Sequence, residues 1–153
     1  MSKEFDKLNK KLIRQFGKDR NMALATSFED IPTVRIIDTY YWNNSFYIAT
    51  HESSEKVQQI MKNKYVSLCT NLHEFQGEAI NIGHPLKDEN KEIRELLTEA
   101  FSNWYFAHND ESDPKMCYIQ VKLNTAFTHF NKIGYNVDFR TKEINSFRFD
   151  PKK

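Results

Sequence analysis

Glycine and proline are scarce in this chain, with 4 of each among 153 residues. So few glycines cannot build a glycine-rich phosphate cradle, and neither Gly-x-Gly-x-x-Gly nor a Walker sequence is present. Rossmann-type cofactor binding therefore has no support, and any phosphate must be met by side chains and a helix end. A nucleophile elbow is also missing, which leaves serine hydrolysis without support. Cys69 and Cys117 are the 2 cysteines, far apart and in apolar, strand-like runs. That excludes a disulfide framework and predicts buried free thiols in a reducing compartment. The 5 histidines form no His-x-x-x-His pair and no Cys/His cluster, so no metal site is expected. A net charge of +1 supplies no field toward nucleic acid or membrane. Charge begins at Lys3, unlike a signal peptide, and no apolar run approaches the length of a membrane span. The expectation is a soluble, cytoplasmic protein.

Aromatic residues are abundant: 12 Phe, 7 Tyr and 2 Trp. They fit an aromatic β core, and equally an apolar surface kept for a dimer interface or a planar ligand. Residues 3–16 repeat Phe5, Leu8, Leu12, Ile13 and Phe16 at helical spacing, and Gly17 is a natural C-terminal cap. Strands are predicted at Met22–Ser27, Thr33–Trp42, Phe46–Thr50, Tyr65–Thr70 and Glu74–Ile82. Glu29–Pro32 reads as a turn, and Asn43-Asn44 as a two-residue hairpin turn. Helices are predicted at Ser54–Lys62, capped by Ser53 or Ser54, and at Glu89–Tyr105. Trp104 and Tyr105 read as packing residues at the end of that helix, or as neighbours of a dimer seam. Cys117–Leu123 alternates as a strand, with Ala126–Phe130 expected to pair with it. Tyr135–Phe149 reads as a last hairpin around Arg140–Lys142. Strands that meander, with helices inserted between pairs, indicate a mainly β domain with peripheral helices, an antiparallel barrel or sandwich. One domain is expected over 1–153: an N-terminal helix (1–17), a barrel core (20–130) and a tail or hairpin (131–153).

The most informative stretch is 33–69, which reads as strand, turn, strand, short helix, strand. A Ser-Ser-Glu-Lys cluster, Ser53 to Lys56, sits where the second strand hands over to the helix. A helix start offers unpaired N–H groups and the positive end of a dipole. Hydroxyls and a lysine beside it suit a phosphate. The same residues also describe an ordinary capped helix with a solvated lysine. Strand alternation puts Val34 and Ile36 on one face and Arg35 and Ile37 on the other, so Arg35 shares a face with an apolar residue.

Taken in order, Ala23-Leu24-Ala25-Thr26, Val34-Arg35-Ile36-Ile37, Phe46-Tyr47-Ile48-Ala49-Thr50, Ser54-x-Lys56, Asn63-x-x-Val66-Ser67-Leu68 and Gly77-Glu78-Ala79 form a set with consistent spacing. The set resembles the pyridoxamine 5′-phosphate oxidase-like family, most closely its short general-stress and nitroimidazole-resistance members. The resemblance covers roughly residues 20–130. It implies an antiparallel split β-barrel that forms a homodimer and binds FMN at the subunit interface. It also implies that Arg35 lies near the flavin phosphate and ribityl chain, and that Ile36 and Ile37 run along the ring. Ala49 and Thr50 would pass the cofactor, Ser54 and Lys56 would hold its phosphate, and Gln76 would make a polar contact with the ring. No catalytic residue is assigned by the match. The implied function is a flavin-dependent oxidoreductase of unknown substrate.

Three departures from the family's authentic oxidases stand out. Glu55 occupies the place of an arginine, Tyr40 that of a lysine, and the tail lacks a substrate-gripping Arg/His motif. These argue against true pyridoxamine phosphate oxidase activity. They also keep a second reading open: a non-enzymatic split barrel binding haem, FAD, a deazaflavin or no cofactor. In that reading His129 would be a haem ligand; otherwise it is a histidine with a structural hydrogen bond.

Overall fold

The computed structural model describes residues 3–152. In chain order the elements are α1 (Lys3–Phe16), β1 (Arg20–Phe28), β2 (Ile31–Trp42), β3 (Ser45–His51), α2 (Glu55–Lys62), β4 (Tyr65–Thr70), β5 (His73–Gly83), a 3₁₀ turn (Asp88–Asn90), α3 (Lys91–Ala100), α4 (Tyr105–His108), β6 (Met116–Phe130), β7 (Ile133–Asp138) and β8 (Glu143–Arg148). The strands run in the order β3-β2-β1-β4-β5-β6-β7-β8, and β3 pairs back onto β6. Six antiparallel strands thus close into a barrel, and β7 and β8 extend one wall as a hairpin. Closure removes most of the open edge that a flat sheet would present, leaving the outer edge of β8 and part of the β2–β3 seam. Among the described residues, no helix is long and apolar enough to cross a membrane.

Four tight turns have the same form. Glu29-Asp30, Asn43-Asn44, Asn71-Leu72 and Asn131-Lys132 each place two successive residues at positive φ. This backbone twist matches that of the flanking strands. The expected turn at Glu29–Pro32 is therefore only two residues long, because Ile31 and Pro32 already pair with Phe28 and Ser27.

The barrel interior is apolar, and α1 covers it. Phe5, Leu8, Leu12 and Phe16 are buried along one face of α1. The Phe16 ring meets Phe46, His73 and Phe75 edge-on, with centroids 5.1–5.9 Å apart. Gly17 ends the helix, its N–H bonding Ile13 O at 2.8 Å. A Cβ there would lie 2.5 Å from that oxygen, so only glycine fits. A second cluster lies outside the barrel, where Ile93, Leu97, Phe101 and Tyr105 pack on Tyr47 and Tyr118. The Tyr105 hydroxyl bonds to Tyr118 and Glu111, and Arg94 grips Glu111 through two bonds of 2.7–2.8 Å.

Several expectations need correction. The helix expected over Glu89–Tyr105 is broken: α3 stops at Ala100, and the N–H groups of Trp104 and Tyr105 both turn back to Phe101 O, at 2.9 and 2.7 Å. Ala126–Phe130 does not pair with Cys117–Leu123. Both belong to one 15-residue strand, β6, which changes partners along its length. Its first half pairs with β3 and its second with β7, while β5 follows both. Cys117 is buried, but Cys69 is exposed, because it points from β4 to the outer face.

Candidate functional site

β2 and β3 pair only from Tyr40 to Trp42, opposite Ser45 to Tyr47. Before Tyr40, β2 stays with β1; after Tyr47, β3 stays with β6. The two strands splay apart, and a cleft of about 510 Å³ opens between them. Its walls include Ile37 and Asp38 from β2, Ala49 and Thr50 from β3, Lys56 from α2, and Trp104. The facing backbone edges of the splayed segments are not paired with each other, which leaves peptide groups available to a ligand.

Lys56 projects from the first turn of α2 into this cleft. Burial pushes its pKa down from the ordinary lysine value, and the nearby Arg35 guanidinium adds to the effect. Among the described residues, Lys56 has no ion-pair partner. The backbone N–H groups of Glu55, Lys56 and Val57 likewise make no hydrogen bond among the described residues. The first intrahelical bond is from Gln58 N to Ser54 O. Ser54 holds the N-cap position without bonding a helix amide. Its hydroxyl donates to His51 O at 2.8 Å and lies 3.4 Å from the Thr50 hydroxyl. The helix start is therefore open rather than self-capped.

Arg35 points inward beside Ile37, while Val34 and Ile36 are about two-thirds exposed on the opposite face. The Arg35 guanidinium donates to Thr26 Oγ1 at 2.7 Å and to Leu24 O at 3.3 Å. The Thr26 hydroxyl bonds Gln59 Oε1, and Gln59 Nε2 reaches Thr33 Oγ1 at 3.2 Å. This chain ties β1, β2 and α2 together and fixes the arginine. Glu55 approaches Arg35 at 3.4 Å, a long and largely exposed pair. It offsets part of the guanidinium charge without reaching Lys56.

The structure thus brings Ile37, Ala49, Thr50 and Lys56 together around the cleft, with Arg35 and Ser54 adjoining. It does not bring Ile36 or Gln76 there. Both lie on the outer face of the β2-β1-β4-β5 wall, where Gln76 Oε1 accepts from the Thr125 hydroxyl at 3.0 Å. That face also carries Val34, Ala23, Ala25, Ser67 and Cys69, small and mostly apolar, with the charged Glu74 beside Gln76 on β5. His129 stacks on His73 at 4.4 Å, and its Nε2 is bonded to Asn71 O at 3.1 Å.

Two groups at the cleft gave little signal in the sequence. Asp38 has its pKa pushed up to about 6 by burial and by the adjacent Asp19 carboxylate. Asp19 in turn accepts the Trp104 indole N–H at 2.8 Å, so the α3–α4 turn is pinned beside the cleft. At the other end, His51 Nε2 lies 2.8 Å from Asp113 Oδ2, and its Nδ1 lies 2.7 Å from Ser53 Oγ. The Asp113 carboxyl is held below the usual range by the Lys115 N–H and by His51. His51 and Asp113 are 62 residues apart, so only the fold reveals their contact.

No protein-family profile matches this sequence, and no curated protein matches it. Solved structures do match. A NimC/NimA family protein from Clostridium acetobutylicum superposes with a TM-score of 0.58 at 20% identity, covering 94% of this chain and 92% of its own. General stress protein 26 from Bacillus anthracis gives 0.60 at 19% identity, covering 92% and 98%. A protein from Listeria innocua assigned as a pyridoxamine 5′-phosphate oxidase gives 0.60 at 18%, covering 81% and 96%. An FAD-binding protein from Mesorhizobium loti and an F420 reductase share the architecture at 14% and 13% identity. At these identities the likeness is one of fold, and it agrees with the resemblance carried by the sequence motifs. The chain is a split β-barrel of the architecture shared by NimC/NimA, general stress protein 26 and pyridoxamine 5′-phosphate oxidase-like proteins.

Proposed function

We propose that this protein binds FMN in the split between β2 and β3 and acts as a flavin-dependent oxidoreductase. One observation carries the reading: the half-buried, unneutralised Lys56 stands beside three open amide groups at the wall of a cleft. A buried cation without a counter-charge is costly, and a phosphate relieves it. Lys56 and the α2 amides would hold the phosphate, with Thr50, Ser54 and Arg35 beside them. Ile37 and Ala49, with the unpaired strand edges, would border the ring. The flavin, when bound, supplies hydride or electron transfer; the chain supplies position, charge and exclusion of water.

The open, apolar outer face supports a homodimer, with Ile36 and Gln76 presented to a second copy. A second copy on that face would give those residues a place at a shared site. A cytoplasmic setting accords with the free Cys69 thiol on that face. Glu55 at 3.4 Å from Arg35, and the Ser54 proton committed to His51 O, favour a second reading in which FMN is weakly held or another planar cofactor takes its place.

FMN titration followed by flavin fluorescence quenching tests the proposal. FMN should bind, and Lys56→Ala should weaken binding roughly tenfold to a hundredfold, the worth of a charge-assisted bond. If neither protein binds FMN, the leading reading fails, and FAD, F420 and haem become the ligands to titrate.

A further inference from the structure

His51 and Asp113 line the cleft, and with the exposed Ser53 they line up as hydroxyl, imidazole and carboxylate. Ser53 Oγ is 2.7 Å from His51 Nδ1, and His51 Nε2 is 2.8 Å from Asp113 Oδ2. The backbone N–H of Ser53 also points at Nδ1, at 3.1 Å. An N–H can only donate, so Nδ1 carries the lone pair and Nε2 carries the proton that meets Asp113. This is the tautomer a general base requires. Asp113 is itself fixed, with Oδ1 accepting the Lys115 N–H at 2.9 Å and its carbonyl bonded to His84 Nε2. A turn alone would need only the contacts within 51–53. The carboxylate brought from β6's approach orients the ring as well, and Ser53 stays exposed.

We propose that Ser53, His51 and Asp113 form a nucleophilic triad that hydrolyses small esters with an apolar acyl group. Ser53 Oγ forms a bond to the acyl carbon as its proton passes to His51 Nδ1. The tetrahedral intermediate collapses by breaking the bond to the leaving alkoxide, which takes that proton from His51. Water then cleaves the acyl-serine ester, releasing a carboxylic acid and restoring the hydroxyl. Met116 and Trp104 line the same cleft as His51 and Asp113 and offer apolar surface to the acyl group. No motif points to this activity, because the serine is not on an elbow and its partners come from separate elements.

The test uses the full chain with a fluorophosphonate probe and p-nitrophenyl butyrate. The probe should label Ser53, located by peptide mass spectrometry. Hydrolysis should fall about tenfold or more in Ser53→Ala, His51→Gln and Asp113→Asn, and stay unchanged in Ser146→Ala on β8. Ser53→Ala keeps the backbone bond to His51, so it decides the matter even where the other variants fold poorly. No label, a label on another serine, or hydrolysis that survives Ser53→Ala overturns the proposal. FMN titration of Ser53→Ala is read separately, so this proposal and the flavin reading fail independently.

Discussion

His73 is 4% exposed, inside a cage of Phe16, Phe130 and His129, with Nδ1 bonded to Thr128 Oγ1 at 2.6 Å. Burial, with His129 and Arg20 nearby, lowers its pKa from 6.5 to about 4. The unfolded chain therefore binds more protons than the folded one between those values, and stability falls as pH drops through that window. The full effect of a shift this size is up to roughly 3 kcal/mol, complete only near the lower value. Thermal melts should show the midpoint falling between pH 6.5 and 4. In His73→Phe that slope should largely flatten, at some loss of stability at neutral pH from the orphaned Thr128 hydroxyl. An unchanged slope in the variant would assign the acid sensitivity elsewhere.

Gly77 belongs to the junction of β5 and β6, where the register shifts between Gln76 and Gly77. A Cβ there would sit 2.4 Å from Lys122 O and 3.0 Å from Val121 Cγ1. Backbone cannot move aside as a side-chain tip can, so Gly77→Ala should destabilise the protein by about 2 kcal/mol. Urea unfolding measures this directly, and a loss under about half that size would mean that the bulge yields. The same stretch shows what a sequence can and cannot disclose. Hydrophobic alternation located Tyr65–Thr70 to the residue and put Arg35 on the same face as Ile37; that this face points inward came from the structure. It divided β6 in two, because Asn124 and Thr125 look like a turn in isolation, and the pairing partners that hold them extended come from distant strands. Lys56 was visible as a lysine at a helix start. Its lack of a counter-charge was not, since that depends on what every other element leaves uncovered. Asp38, His51 and Asp113 were silent for the same reason.

At the scale of the whole molecule, the outer wall is the feature that a solitary barrel does not explain. Val34 and Ile36 are 65% and 67% exposed on a strand whose opposite face is packed. They lie across from Ala25 and Ala23, with Ser67 and Cys69 beyond. Small and apolar residues across β2, β1 and β4, bordered by Glu74 and Gln76 on β5, suit close contact with a second copy. Ile36→Lys should shift a dimer to a monomer in sedimentation velocity without loss of helix or strand signal. A wild-type chain that sediments as a monomer at micromolar concentration would remove the partner from the proposed site.

The helix that covers the barrel has a consequence for how the chain is made. α1 is synthesised first, yet its Phe5 ring meets Phe139 at 5.9 Å, and Lys142 lies over the same ring. Lys11 reaches Tyr135 in the same way. The start of α1 thus waits for the last hairpin, while Phe16 at its other end packs on Phe46 and Phe75 of earlier strands. Contacts spanning nearly the whole chain slow folding and expose sticky surface meanwhile. The Phe5 end of α1 is therefore covered only once residues 135–142 are in place, and a chain lacking that stretch exposes apolar surface of the kind chaperones bind.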